Sequence, residues 1–234
     1  MPHRIRHAKA YPFSILDHSF LLKGGEVTPL PAGEAHRAGR TAVLASGSNR
    51  SHEQLARKFG DDPEGVATER AWLVDFDVVY AAHITRYGSI PATLQHVAGM
   101  RVHLAVNWLT ERQLAAMHAT EGNYEFVALE RLALETEAGP ALTEAHVYVA
   151  RNGFLTHEGA PIGLREAAAE GRPHAAMDQG EAQAHVHGRL GEGVDPDDFV
   201  LQNIEDERLR LERAKLLHDP HAAFGWPHRR IVEI

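Results

Sequence analysis

Two short stretches of the 234-residue chain carry groups that could handle a proton and an oxygen. In Met117-His118-Ala119-Thr120-Glu121-Gly122-Asn123-Tyr124 a helix is expected to run to Glu121, the chain to turn at Gly122, and a strand to leave at Tyr124. A carboxylate at such a joint can project into the mouth of a sheet. Partial burial there would raise its pKa and suit it to shuttle a proton near neutral pH. In Ala45-Ser46-Gly47-Ser48-Asn49 a turn of small residues joins a strand to a helix. Such a turn lets backbone N–H groups face a cavity, and the helix N-terminus beyond it adds positive potential, so it suits an anionic or carbonyl oxygen. Taken singly, each stretch has an ordinary reading: a tight turn after a strand, and a glutamate at a helix end in water.

Other chemistries find less support. The chain has no cysteine, which removes disulfides, thiolate metal sites and a Cys nucleophile together. It has 17 histidines, but the close pairs are only His185-x-His187, His218-x-x-His221 and the separated His3 and His7. An i, i+2 pair on a helix points to different faces, so these read as solvated histidines and no metal site is expected. No G-x-S-x-G elbow, P-loop or Rossmann glycine pattern occurs. With 32 acids against 24 Lys plus Arg, the net charge of -8 speaks against a nucleic-acid or anionic-membrane surface as partner. No apolar run approaches the ~20 residues of a membrane span. The basic start Met1-Pro2-His3-Arg4-Ile5-Arg6 has no apolar stretch behind it, so a cytoplasmic protein without signal peptide is expected.

The elements that must position the two stretches follow from periodicity. Residues 1–40 mix short apolar pieces with Gly24-Gly25, Pro29 and Pro31, and read as an irregular or strand-containing lead-in. Thr41–Ala45 is a short strand, and Leu55 and Phe59 mark a helix with Ser51 as N-cap and Gly60 as its end. Strands are expected at Val74–Ile84, at Met100–Trp108 as a half-buried alternating strand, at Tyr124–Leu134 and at His146–Ala150. Thr110 caps a helix carrying Leu114, Met117 and His118. Beyond residue 150, helices are expected over Leu164–Ala169, Ala175–Leu190 and Asp198–Leu217. Strands followed by helices give an α+β domain with a curved or barrel-like sheet.

The order of these pieces resembles the γ-glutamylcyclotransferase-like (AIG2-like) family. Val43-Leu44-Ala45-Ser46-Gly47-Ser48-Asn49 is similar to the strand and Tyr-Gly-Ser-Asn turn that open those domains. Val106 to Tyr124 looks like that family's strand, helix and Leu-Asp-x-x-Glu-Gly…Tyr segment, and His146-Val147-Tyr148-Val149 looks like its later Tyr-bearing strand. The resemblance covers residues 41–150. It implies a small mixed β-barrel with flanking helices, here with a lead-in over 1–40 and a C-terminal helical extension over 151–234 packed on the core. It further implies cleavage of a γ-glutamyl or similar small amide by the substrate's own α-amine, without cofactor. Glu121 would be the acid/base. Ser46, Gly47, Ser48 and Asn49 would receive substrate oxygens, and Tyr124 and Tyr148 would line the pocket.

Two departures bear on substrate identity. Ser46 stands where the family has Tyr, and His118 where it has Asp. Three readings therefore stay open: a cyclotransferase-like lyase, a hydrolase of a small amide or ureido acid in which Glu121 activates water, and a non-catalytic binding module using the charged C-terminal helices. The implied partner is a small amide, with neither nucleic acid nor membrane, and a homodimer is left open.

Overall fold

The computed structural model describes residues 3–231. Met1 and Pro2 of the basic start, and residues 232–234 of the expected C-terminal extension, lie outside them. In chain order the elements are α1 His3–Lys9, β1 Phe20–Lys23, β2 Glu26–Pro29, β3 Thr41–Ala45, α2 His52–Phe59, β4 Val66–Tyr80, β5 Ala92–Leu109, α3 Glu111–His118, β6 Tyr124–Thr136 and β7 Leu142–Ala150. Short strands follow: β8 Thr156–His157, β9 Ala160–Pro161, β10 Gly163–Leu164, β11 Ala169–Glu170 and β12 Ala176–Met177. Helices α4 Gln179–Leu190, α5 Pro196–Glu205 and α6 Glu207–Leu217 precede a last strand, β13 His228–Arg230.

Strands β5, β3, β7, β6 and β4 hydrogen-bond in that order, and β4 pairs back onto β5, closing a five-stranded barrel. The β3–β7 pair is parallel and the other neighbours are antiparallel, so the barrel is mixed. The α+β class, the mixed barrel and the additional helices are those expected from the sequence. Closure removes the unpaired edges that a five-stranded open sheet would leave. The hairpin of β4 and β5 is its longest wall, and a register shift between Val74 and Phe76 bends it. Asp75 sits there at φ 63°, a left-handed conformation that Asp tolerates, with its Oδ1 accepting the N–H of Gly99 at 2.8 Å.

Alternation along the strands sorts the core into two faces. Leu44, Val127, Leu129 and Val147 point into the barrel cluster, whereas their neighbours Val43, Phe126 and Tyr148 point outward and meet Leu55 and Phe59 of α2 and Met117 of α3. Residues Met100 to Trp108 alternate as expected, but the strand is not half-buried. His103, Ala105 and Asn107 on the other face are each at most 8% exposed. The barrel wall is covered on both sides here, the situation in which strands read as continuous runs.

Helix α1, unexpected from the sequence, buries Ile5 and Ala8 against Val200 of α5. Two apolar residues three apart are too few to show a period. Helix α3 begins with a full capping box, in which the Thr110 side chain accepts from Gln113 N and the Gln113 side chain accepts from Thr110 N; such caps are worth about 1 kcal/mol. It ends at His118, three residues short of the expected end at Glu121. Ser51 occupies the N-cap of α2 by backbone conformation, but its hydroxyl makes no capping bond.

The segment beyond residue 150 needs the largest correction. Leu164–Ala169 is not helical: β10 pairs with β4 and β12, β11 pairs with β5, and His103 N donates to Ala168 O. Six residues are below the length at which a helix sustains itself, and barrel edges offer their backbone groups a better partner. The next helix starts at Gln179 and not at Ala175, because Asp178 and Glu181 form a capping box. The single helix expected over 198–217 is two, since Asp206 leaves helical geometry and its side chain accepts from Leu209 N. No helix among the described residues is long and apolar enough to cross a membrane.

Candidate active site

The strand β3 delivers the turn 46–49 to one end of the barrel, and the peptide after α3 brings Glu121 to the same place. Asn49 Nδ2 donates to Glu121 Oε1 at 3.1 Å. The Asn49 backbone is held in turn, because its carbonyl accepts from Asn107 Nδ2 at 3.0 Å, and Asn107 Oδ1 accepts from Thr68 Oγ1 at 2.9 Å. Asn107 is 1% exposed, so this chain of amides fixes the turn from inside the wall. Two donors converge on Glu121 Oε1, Asn49 Nδ2 and the charged Lys58 of α2, the latter at 3.0 Å. The same ammonium donates to Asn49 Oδ1 at 2.9 Å and to Thr120 Oγ1 at 2.9 Å. The Glu121 side chain is only 13% exposed. Its second oxygen, Oε2, accepts no hydrogen bond among the described residues, so one side of the carboxylate is fixed and the other is available.

The turn offers donors as well. Arg50 N donates to Gly47 O and Ser51 N to Ser48 O, but the N–H groups of Gly47, Ser48 and Asn49 find no acceptor among the described residues. Gly47 is required by packing. A Cβ there would overlap the hydroxyl of Tyr11, which is itself held by the N–H of Ala92 at 2.7 Å. The Ser48 side chain holds the Tyr87 phenol down against the larger effect of burial. Ser46 is 8% exposed, and no partner of its side chain is found among the described residues.

The surroundings are phenolic and buried. Burial raises Tyr11, and the neighbouring Tyr87 hydroxyl raises it further. Tyr87 is pushed up to about 12 by burial. Tyr124 lies well above its ordinary value, again through burial, with its hydroxyl donating to Ala92 O at 3.0 Å. All three therefore stay protonated as hydrogen-bond donors, and all three feel the charge of Glu121. His83 meets the Tyr124 ring edge-on at 5.3 Å, and burial lowers its imidazole to about 4. Arg50, buried behind the turn, donates to His103 O at 3.1 Å and is lowered to about 10 by burial.

Glu121 also borders a cavity of about 280 Å³ outside the barrel wall, lined by Tyr124, Phe126, Tyr148, Arg151 and Arg230 among others. Tyr148 OH and His118 Nδ1 are 2.7 Å apart on its floor. The structure thus brings Glu121 together with Asn49 through a direct bond and with Tyr124 and Tyr148 through the cavity. Gly47 and Ser48 lie on the Tyr11–Tyr87 side. Sequence reasoning missed Lys58, Tyr11, Tyr87, Arg151 and Arg230. Lys58 stands one residue before the apolar Phe59 of α2 and had no signal of its own. Among the described residues no group of three or more His, Asp or Glu could hold a metal ion.

No protein-family model matches the chain, and no curated protein sequence does. Solved structures that it is similar to include a gamma-glutamyl cyclotransferase, at 16% identity over 76% of this chain and 86% of that one, with a TM-score of 0.39. An Arabidopsis thaliana protein matches at 15% identity over 65% of this chain and 78% of its own, with a TM-score of 0.39. An uncharacterized Homo sapiens protein matches at 16% identity over 80% of this chain and 92% of its own, with a TM-score of 0.40.

Proposed function

We propose that this protein cleaves a γ-glutamyl or similar small amide by intramolecular attack, with Glu121 as proton shuttle and no cofactor in the reaction. The observation that carries this reading is the division of labour within Glu121: Oε1 is tied to Asn49 and Lys58, while Oε2 accepts from no donor among the described residues. A fixed carboxylate with one oxygen free suits a group that must accept a proton and return it within one turnover.

In the reaction proposed, Oε2 takes a proton from the substrate's α-amine as its nitrogen attacks the amide carbonyl carbon. The new C–N bond closes a five-membered ring, and the developing oxyanion is received by N–H groups of the turn at Gly47, Ser48 and Asn49. The proton on Glu121 then passes to the leaving nitrogen as the old C–N bond breaks, giving 5-oxoproline and a free amine with no water consumed. Because both reacting groups belong to one molecule, holding it in a near-attack geometry supplies much of the acceleration.

The test is product analysis with γ-glutamyl amides in heavy-oxygen water. The expected products are 5-oxoproline without solvent oxygen and an equivalent of amine, lost in Glu121→Gln with the fold retained. Glutamate carrying solvent oxygen would replace this reading with hydrolysis, and no amine release from any γ-glutamyl, amide or ureido compound would overturn it.

A further inference from the structure

The segment before residue 41 reaches the site through one side chain, and the reaction above gives that side chain no task. Helix α1 is pinned to α5: Ile5 and Ala8 pack on Val200, and Lys9 Nζ lies 2.6 Å from Asp197 Oδ1. Ala8 O also accepts from Ser89 Oγ at 2.6 Å. The chain leaving α1 carries Tyr11, which is 3% exposed. Phe13 follows at φ 71°, a left-handed conformation that a bulky residue keeps only where its surroundings compensate. Those surroundings are aromatic. The Phe13 ring lies 4.9 Å from His7 and 6.1 Å from both Tyr11 and Tyr87.

The Tyr11 hydroxyl so held stands between separate parts of the site. It lies against Gly47, in the space that a Cβ would take. It accepts the N–H of Ala92 at 2.7 Å, and the carbonyl of the same residue accepts from Tyr124 Oη at 3.0 Å. Tyr124 N in turn donates to Glu121 O at 2.9 Å. A continuous path therefore runs from the turn through Tyr11, Ala92 and Tyr124 to the backbone of Glu121. It shares no member with the bond from Asn49 Nδ2 to Glu121 Oε1, so turn and carboxylate are tied twice. Tyr11 and Ala92 are buried, where a hydrogen bond is strong and an unmade one is costly.

We propose that Tyr11 is a positioning residue: through Ala92 and Tyr124 it sets the spacing between the amides of the turn and the carboxylate of Glu121. This rests on the proposed amide cleavage, and it makes the N-terminal segment part of the catalytic unit. Proton shuttle and oxyanion donors must face one reacting centre together, and a misplacement of about 1 Å can slow such a step by roughly 10²-fold.

The first measurement is steady-state kinetics on Tyr11→Phe, Tyr124→Phe and the double variant, with a γ-glutamyl amide. Tyr11→Phe is expected to lower kcat by roughly tenfold with KM within about twofold of wild type. As links of one path, the two phenols should not act independently, so the double variant should be no slower than the slower single one. Unchanged kcat in folded Tyr11→Phe, or losses that multiply in the double variant, overturns the proposal and leaves the Glu121 chemistry standing. The second measurement, amide hydrogen exchange, needs no turnover. In Tyr11→Phe the Tyr124 N–H is expected to exchange about tenfold faster relative to the amides of the barrel strands, and an unaltered ratio overturns the path. If wild type cleaves no amide, the proposed function falls and exchange alone decides the path. Should Tyr11→Phe fail to fold, Tyr124→Phe puts the same question from the other end: the Ala92 N–H is expected to exchange faster by a similar factor, and an unaltered ratio there overturns the proposal.

Discussion

Glu69 and Glu121 are both glutamates brought to the barrel wall, and they are treated in opposite ways. Glu69 is fully buried and has both oxygens claimed: Arg37 Nη2 reaches Oε1 and Oε2 at 2.9 and 3.0 Å, Ala138 N reaches Oε1, and Trp108 Nε1 and His36 Nε2 reach Oε2. Burial alone would push its carboxyl up, but the hydrogen bonds from Arg37, Thr136, Trp108 and His36 outweigh it and hold it below the usual range. Asp77 follows the same scheme, with Arg172, His174 and Val78 N as partners. Among the described residues, Glu121 keeps one oxygen outside any such network. A carboxylate saturated on every lone pair has nothing left to react with and serves to tie segments together. One saturated on a single oxygen is positioned and still available.

The sharpest break in that comparison is the same substitution at both sites. Glu69→Gln leaves the Arg37 guanidinium facing a neutral amide in a buried site and is expected to lower stability by about 3–5 kcal/mol, by analogy with broken buried pairs. Its effect on turnover should then track the unfolded fraction. Glu121→Gln should leave the melting temperature within a few degrees of wild type and cost about 10²–10⁴ in kcat. Denaturant titration and kinetics on both variants check this, and the contrast fails if Glu121→Gln unfolds the protein or Glu69→Gln lowers kcat in the folded fraction.

A pH effect of similar size to the lower end of that range should come from His83, on the site side of the molecule. Its imidazole is lowered by burial to about 4, whereas in the unfolded chain it titrates near 6.5. The unfolded state therefore binds more protons between these values. The stability contribution is full above about pH 6.5 and is lost as pH falls towards 4, by about 3 kcal/mol in all. His83→Leu should flatten the fall in melting temperature between pH 7 and pH 4.5 relative to wild type. An unchanged slope would mean that other groups govern acid sensitivity.

Next in size is the contact under the turn. Gly47→Ala drives a methyl group into the Tyr11 hydroxyl and is expected to cost about 1–3 kcal/mol by overpacking. Tyr11→Phe removes that hydroxyl, so the double variant should be less destabilised than the two single effects added. A strictly additive cycle would show that the two groups do not meet as described.

How much of this was legible follows from which contacts are local. Period-two alternation gave β6 and the Met100–Trp108 part of β5, and the cap at Thr110 marked the start of α3, because both are properties of adjacent residues; β4, expected over Val74–Ile84, runs Val66–Tyr80 instead. The joint bearing Glu121 was singled out from its helix, turn and strand, and its pairing with the turn at Asn49 came from a resemblance of motifs, but Lys58 and the arginines near it were not found. Lys58 lies 63 residues from Glu121 in the chain, and Arg230 reaches the cavity only because β13 pairs with β6. Nothing in the composition of α2 distinguishes a lysine that points at a carboxylate from one that points at water. The strands at 163–177 were hidden for the converse reason. Their alanines favour a helix locally, and the barrel edges override that preference.

The smallest stability effect and the finest test of the comparison belong to Lys58. Its ammonium touches Glu121 Oε1, Asn49 Oδ1 and Thr120 Oγ1, and it also lies 3.2 Å from Met117 Sδ. Its side chain is 20% exposed, and partly solvated pairs of this kind contribute at most about 1 kcal/mol to folding. Lys58→Met keeps the aliphatic stem against Met117 while removing the charge and three polar contacts. If Lys58 fixes Oε1 so that Oε2 alone faces the substrate, the carboxylate in Lys58→Met gains a second orientation and Asn49 loses one restraint. The expected result is a fall in kcat of roughly tenfold with KM and melting temperature little moved, since a misplaced shuttle slows the chemical step more than it weakens binding. Lys58→Arg, which restores the charge with a different reach, should recover part of the loss. Unaltered kcat in Lys58→Met would mean that Asn49 and the backbone after α3 hold Glu121 without help, and the division between its two oxygens would have to be assigned to the turn alone.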